Sequence, residues 1–134
     1  METTQTLAGS RTGAVQVGAA VTTGLFAVML AISGVLYVVG PAPIVAAIHR
    51  LGYPDYFRQL LGVAKIAGAA ALVLPSLRTL REWAYAGFTF NLIAAISSHV
   101  LSGDGAHAAP AVFALALLAA SYSLRRRAAN VPRA

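Results

Sequence analysis

Few residues in this sequence can do chemistry, and several of them fall in or beside long apolar segments. Lys65 lies inside one apolar segment and Asn91 inside the next. Inside a bilayer, a charge or an amide is expensive and marks a candidate functional position. Five further polar or aromatic groups lie near segment ends: Tyr53, Asp55, Tyr56, His99 and Asp104. These residues are the candidate ligand-binding positions, and if Lys65 and Asn91 converge they form a cationic pocket suited to a quinone carbonyl or a small anion.

Lys65 admits two interpretations. An ammonium placed inside a span costs about 2.5–3.5 kcal/mol, so the residue is either functional or a structural lysine that extends outward to an acid. Only two acids fall on the appropriate side of the bundle, and we predict Asp104, then Asp55, then Asn91 as its partner. Asn91 has a structural alternative too, a hydrogen bond between helices worth about 0.6–2 kcal/mol.

The two histidines near the end of the chain's third apolar segment are candidate proton carriers or metal ligands. Histidine as a residue type titrates in a useful range, and His99 and His107 have Asp55 and Asp104 near them in the predicted topology. No two of these residues have the i, i+4 spacing of a helical metal pair, so we predict no metal site. Cysteine is absent, which excludes thiol chemistry by the chain. With no phosphate loop, nucleophile elbow or dinucleotide fingerprint, the sequence shows no catalytic set.

The composition predicts an integral membrane protein. Of 134 residues, 58% are hydrophobic and only 10% are charged, and the mean hydropathy is +0.72. Soluble domains carry about 25% charged residues, and their helices have polar faces that are missing here. Four apolar segments are long enough to cross a bilayer. We therefore predict an all-α fold, a single four-helix transmembrane domain over residues 1–134 with spans at about 15–39, 56–74, 82–101 and 108–124, and a short helix near residues 44–48.

Basic residues predict the orientation of this bundle. With four spans, one side holds seven arginines and the other side holds two, Arg50 and Arg58. The seven are Arg11, Arg78, Arg81, Arg125, Arg126, Arg127 and Arg133. Because cytoplasmic loops are enriched in Lys and Arg, we expect both termini to be cytoplasmic. The net charge of +6 then indicates contact with anionic lipid headgroups of the bilayer, and no nucleic-acid partner.

Several short strings resemble the DoxX-like family of small bacterial four-helix membrane proteins. They are Leu51-Gly52-Tyr53-Pro54-Asp55-Tyr56-Phe57, Lys65, Pro75, Glu82-Trp83-Ala84-Tyr85-Ala86-Gly87-Phe88, Ser98-His99 and Gly103-Asp104. The resemblance implies a multi-pass protein of the bacterial inner (cell) membrane. It also implies a link, seen for some relatives, to thiosulfate or quinone oxidation and to redox complexes. It supplies no agreed catalytic residues.

Three functional hypotheses follow. The first is a small membrane subunit of a redox or quinone-handling system, with a quinone as the possible cofactor and another membrane or redox protein as the possible partner. The second is a non-enzymatic scaffold that docks another protein through its outward loops. The third is a permeation path, which four helices line poorly. A closed polar cavity beside Lys65 favours the first hypothesis, and tight packing there favours the second.

Overall fold

The computed structural model describes the backbone of residues 2–130 and the side chains of residues 13–130, and this range is all-α. The helices are α1 (Glu2–Val39), α2 (Ala42–Arg50), α3 (Asp55–Val73), α4 (Arg78–Leu101) and α5 (Ala109–Ala129), with a 3-10 turn at Gly105–Ala108. Arg133 and the side chain of Arg11, both used in the count of basic residues, lie outside the described part.

Four of the helices are long and apolar enough to cross a membrane, which confirms the predicted fold class. The qualifying stretches are Gly13–Val39, Asp55–Val73, Arg78–Leu101 and Gly105–Ala129. Three helices extend several residues past the predicted spans: α1 at its start, where it begins at Glu2, α4 at its start and α5 at its end. The turns added to α4 and α5 contain several arginines, and α5 adds two alanines, residues that favour helix in water as well as in lipid. The helical structure therefore continues beyond the purely apolar runs.

Glycine and proline set the helix boundaries. α1 ends where Gly40 adopts a φ of +71°, a conformation that L side chains rarely adopt, and Pro41 follows. The short helix predicted near residues 44–48 is α2, which begins immediately after this proline. α3 begins after Pro54, and its last residues precede Pro75. These breaks fold the connection between α1 and α3 back over one end of the bundle.

The four long helices form a ring in which α1 and α4 occupy opposite corners. α1 packs against α3 and α5, and α4 packs against the same two helices. The core contains Phe26, Leu30, Leu72, Phe88 and Leu118. Phe26 and Phe88 meet edge to face across the ring, with centroids 6.0 Å apart. This arrangement leaves two polar ends, which we call the histidine end (residues 40–54 and 98–108) and the arginine end (residues 74–82 and 122–130).

The contact between α1 and α3 depends on two glycines. A Cβ on Gly34 would lie 2.8 Å from the Gly62 carbonyl oxygen, and a Cβ on Gly62 would lie 2.8 Å from the Gly34 carbonyl oxygen. Small residues let membrane helices approach closely and gain van der Waals contact. The same approach places Lys65, three residues along α3 from Gly62, directly against α1.

Large apolar side chains cover the outside of the bundle. Among the most exposed are Val17, Leu25, Trp83, Phe90 and Phe113. A water-soluble monomer rarely exposes so much contiguous apolar surface. These side chains are in the position that lipid chains would contact, as expected for helices that span a membrane.

Candidate ligand-binding site

Lys65 is buried between α3 and α1, with 9% of its surface exposed. Its Nζ donates a hydrogen bond of 2.9 Å to Ser33 Oγ and lies 3.7 Å from the centroid of the Tyr37 ring. A cation over an aromatic face is stabilised by the ring quadrupole. Both partners belong to α1, and because they are four residues apart they present adjacent side chains to α3.

The predicted acidic partner of Lys65 is therefore wrong. Asp55 lies ten residues earlier on the same helix, about 15 Å along its axis, and forms an ion pair with Arg58. Asp104 pairs with other groups at the histidine end. Within the described side chains, no acid is close enough to neutralise Lys65. The amine faces α1 because the glycine crossing brings that helix nearest to it.

Asp55 takes part in a tight cluster at the end of α1. Arg58 Nε lies 2.7 Å from Asp55 Oδ1 and Nη2 lies 3.0 Å from Oδ2, a two-pronged ion pair. Arg58 also donates through Nη1 to the carbonyl oxygens of Tyr37 and Val38. These carbonyls belong to the last turn of α1, whose end favours a positive charge. Asp55 thus positions a structural arginine.

Asp104 is surrounded by three basic side chains at the histidine end. Its carboxylate oxygens lie 2.5 Å from His107 Nδ1 and 3.6 Å from both Arg50 Nη1 and His99 Nδ1. Partial burial by itself would raise the pKa of Asp104. The hydrogen bond from His107 and the charges of His107, Arg50 and His99 outweigh it, so the pKa lies below its ordinary value. The two imidazole rings stack with centroids 6.5 Å apart.

Of the two candidate tyrosines, Tyr53 in the connection before α3 has a described side-chain hydrogen bond and Tyr56 in the first turn of α3 does not. Tyr53 forms a 2.8 Å hydrogen bond with Ser98 of α4 and stacks on Phe57 at 4.7 Å. Tyr56 is 67% exposed. Tyr53 therefore ties the connection between α1 and α3 to α4 at the histidine end, whereas Tyr56 is placed to contact lipid or a partner.

Asn91 does not converge with Lys65. It is half-buried and, with Leu61, Ala64 and Gly68 of α3, lines a cavity of about 210 Å³ between α3 and α4. Successive helical residues point about 100° apart, so the face of α3 that carries Ala64 and Gly68 diverges from the face that carries Lys65. The combined Lys65–Asn91 pocket expected from the two similar depths is therefore not present.

A groove on α1 opens beside the two partners of Lys65. It has a volume of about 420 Å³ and runs along α1 to Ile44 of α2. Its lining is apolar except for Ser33 and Tyr37, and it includes Val28, Ile32 and Leu36. The Ser33 hydroxyl accepts from Lys65 and keeps its own proton to donate. The site thus combines an apolar trough with two hydroxyl groups backed by a buried charge.

Comparison with models of known protein families assigns the chain to one family. A family model described as the DoxX-like family matches residues 21–121. The chain belongs to the DoxX-like family. The match runs from the middle of α1 into the second half of α5, so it includes at least half of every helix of the bundle. No curated protein matched the chain, and no solved structure matched it.

This DoxX-like protein also contains a polar network that the sequence reasoning missed. Ser121 Oγ of α5 lies 2.8 Å from Thr23 Oγ1 of α1 and 2.7 Å from the Tyr85 hydroxyl of α4. All three residues are buried. Hydroxyls that face apolar surroundings must hydrogen-bond to one another. Hydroxyl residues within apolar segments were the available signal, but pairing Thr23, Tyr85 and Ser121 required knowing which helices are neighbours.

No described residues form a cluster of three or more His, Cys, Asp or Glu side chains arranged to hold a metal ion. The nearest approach in this DoxX-like protein is Asp104 with His99 and His107. There the carboxylate is already engaged with Arg50, and His99 Nδ1 is 3.6 Å from it. A cation placed there would have to compete with the guanidinium.

Proposed function

We propose that this DoxX-like protein is a small membrane subunit of a redox or quinone-handling system, and that the groove beside Ser33 and Tyr37 binds the polar head of a quinone. The observation that carries the proposal is the environment of Lys65, a buried ammonium whose described neighbours include no acid. Its two partners, Ser33 and Tyr37, line an apolar groove. A charge retained inside a span without an ion-pair partner indicates a functional role.

The chemistry of a quinone head fits these groups. A quinone carbonyl accepts hydrogen bonds, and the hydroxyls of Ser33 and Tyr37 can both donate. Because Lys65 donates to Ser33, it polarises that hydroxyl and makes it a stronger donor in a low-dielectric site. Negative charge that develops on a quinone oxygen during reduction would be stabilised by the ammonium behind the serine. The apolar lining would contact the ring and the isoprenoid chain.

A scaffold role is the second candidate, and a different observation supports it. Lys65 itself is tightly packed, since a Cβ on Gly34 would lie 3.1 Å from Lys65 Cβ and 2.7 Å from Ile66 Cγ1. The groove is open rather than a closed cavity. The cluster at the histidine end, with Tyr53 bonded to α4, would offer an ordered surface for another membrane or redox protein.

A binding measurement separates the two roles. The full chain in lipid nanodiscs is titrated with decyl-ubiquinone, and the Lys65→Met and Ser33→Ala variants are compared with Ser97→Ala. Ser97 is an exposed serine of α4 with no described hydrogen bond to its side chain, so it controls for the loss of a hydroxyl. We expect each site variant to weaken binding by up to about tenfold, since a hydrogen bond of this kind is worth roughly 0.5–1.5 kcal/mol.

Absence of saturable quinone binding by the native chain would remove the quinone proposal. Equal affinities of the native chain and Lys65→Met would place the quinone elsewhere on the molecule. If a specific protein co-purifies in mild detergent and is lost in Tyr53→Phe but not in Lys65→Met, the scaffold role is favoured instead.

We further propose that the protein lies in the cell membrane with both termini in the cytoplasm, which puts the histidine end outside. The seven-to-two division of arginines supports this orientation. Reporter fusions after residue 134 and within residues 103–107 test it. An externally active reporter at the C-terminus would reverse the topology.

A further inference from the structure

The arginine end contains a cavity that the quinone proposal does not use. Its volume is about 700 Å³, and four arginines line it, two from the start of α4 and two from the end of α5. They are Arg78, Arg81, Arg125 and Arg126, and Glu82 is the one acid among the lining residues. Among the described side chains, Glu82 is not within ion-pair distance of any of the four. The cavity therefore carries a concentrated positive charge that no described acidic side chain compensates by an ion pair.

Two of these arginines are placed against the usual electrostatic preference. Arg78 and Arg81 lie in the first turn of α4, where the helix dipole favours negative groups. Arg81 is held in position, because its Nη2 donates a 2.6 Å hydrogen bond to the Leu74 carbonyl at the end of α3. Its Nε is buried and has no hydrogen-bond partner. A buried charged donor without an acceptor is costly, so Arg81 stays in this place at an energetic cost while the accessible part of its side chain lines the cavity.

An apolar groove continues from the arginine cavity along the bundle. This second cavity has a volume of about 410 Å³, lies between α4 and α5, and shares Glu82, Tyr85 and Tyr122 with the first. Its further lining is apolar or small and includes Leu115, Leu118 and Ala119. A ligand that fits both parts has an anionic head and a hydrocarbon tail. A phosphate group suits the head, since guanidinium groups bind phosphate through paired hydrogen bonds.

We propose that this composite cavity is a specific binding site for an anionic phospholipid, with its phosphate among the arginines and an acyl chain in the groove between α4 and α5. The continuity of charged cavity and apolar groove argues for a lipid over a water-soluble phosphate compound, which would use only the first part. General attraction of basic residues to an anionic bilayer is non-specific and screened by salt. The proposed site differs from that general attraction because its arginines and its apolar groove occupy defined positions in the fold.

The test measures lipid binding to the full chain in detergent by native mass spectrometry. Phosphatidylglycerol is compared with phosphatidylcholine of the same acyl chains, and glycerol 3-phosphate is used as a competitor that has a head and no tail.

The charge variant is the double substitution Arg81→Gln/Arg125→Gln, which removes two arginines that line the cavity. Its control is the single substitution Arg127→Gln, which keeps all four lining arginines. Arg127 is exposed and does not line the cavity. The groove variant is Ala119→Phe, and its control is Ala120→Phe at an exposed position outside the lining.

We expect the native chain to favour phosphatidylglycerol at least about tenfold, and the double arginine variant to lose that preference while Arg127→Gln keeps it. Ala119→Phe should weaken lipid binding severalfold more than Ala120→Phe does. Equal losses in Arg81→Gln/Arg125→Gln and Arg127→Gln would mean a non-specific charge effect and would overturn the site. Displacement of the lipid by glycerol 3-phosphate at equal concentration would assign the cavity to a soluble phosphate compound. If the double variant fails to fold, Ala119→Phe against Ala120→Phe still decides the lipid proposal.

Discussion

Two buried cations on the same face of α3 are treated very differently by this fold. Arg58 and Lys65 are seven residues, or about two helical turns, apart, and 4% and 9% exposed. Arg58 is neutralised by Asp55 and bonded to two carbonyls at the end of α1. Lys65 has a serine hydroxyl and an aromatic ring. Both contact Tyr37, one through its carbonyl and the other through its ring.

The comparison distinguishes Arg58, whose charge holds the structure together, from Lys65, whose charge is free to interact with a ligand. Removing a buried cation that binds an acid and two backbone carbonyls leaves those groups without their donor, which is destabilising. A charge that has no ionic partner leaves nothing unpaired when it is removed. Arg58 therefore holds α1 against α3, while the ammonium of Lys65 is poorly compensated and can respond to a ligand. The predictions below test that division.

Removal of Arg58 is expected to have the largest effect. Arg58→Met leaves the last carbonyls of α1 without a donor and the half-exposed Asp55 without its partner, so we expect the melting temperature in detergent to fall by on the order of 10 °C. Arg58→Lys should recover only part of this loss, because an ammonium lacks the planar fork that contacts Asp55 twice. A melting temperature close to native for Arg58→Met would contradict the structural role.

Substitution of Gly40 should weaken the same cluster by a smaller amount. Gly40→Ala forces an L side chain into a left-handed conformation, at about 1–2 kcal/mol, and its Cβ would lie 2.6 Å from Arg58 Nη1. Thermal unfolding of Gly40→Ala should thus show a clear loss. The matched control is Gly52→Ala, which has a similar φ of +84° and no atom within 4 Å of the added Cβ. A loss no larger than that of Gly52→Ala would mean that the guanidinium moves aside freely.

Asp104 provides a pH test at the histidine end, with a smaller expected effect. Its pKa in the folded protein is below the ordinary value, which is about 3.9 for aspartate. Its stabilising contribution is therefore complete above about pH 4 and is lost as the pH falls through the lowered folded value. Melting curves between pH 6 and pH 3 should converge for the native chain and Asp104→Asn at the acid end. Parallel curves across this range would show that Asp104 contributes no pH-dependent stability.

The sequence allowed the helices to be predicted but not the partners of their polar groups. Apolar run length and the Gly40-Pro41 break depend on local chemistry, so the four spans and α2 could be recognised without a structure. The partner of Lys65 could not, because Ser33 and Tyr37 look like ordinary residues of α1 until the Gly34–Gly62 crossing turns that helix toward α3. The predicted partners Asp104 and Asp55 were chosen for their opposite charge, whereas the observed partners of Lys65 lie on the helix that is nearest to it. Helix packing, which sequence periodicity specifies only weakly in an all-apolar bundle, decided the pairing.

Lys65→Met is expected to have the smallest effect on stability, and this makes it the sharpest test of the comparison. The variant removes a buried charge, breaks one hydrogen bond to Ser33 and leaves no described acid unpaired, so its free energy of unfolding should stay within about 1 kcal/mol of native. Adding Ser33→Ala to Lys65→Met should change little further, because the hydrogen bond is already absent. The coupling between the two sites, read from the double-mutant cycle in thermal unfolding without added quinone, should therefore be about 0.5–1 kcal/mol. A loss from Lys65→Met as large as that from Arg58→Met would show that both cations are structural. The charge inside the span would then need no ligand to explain it.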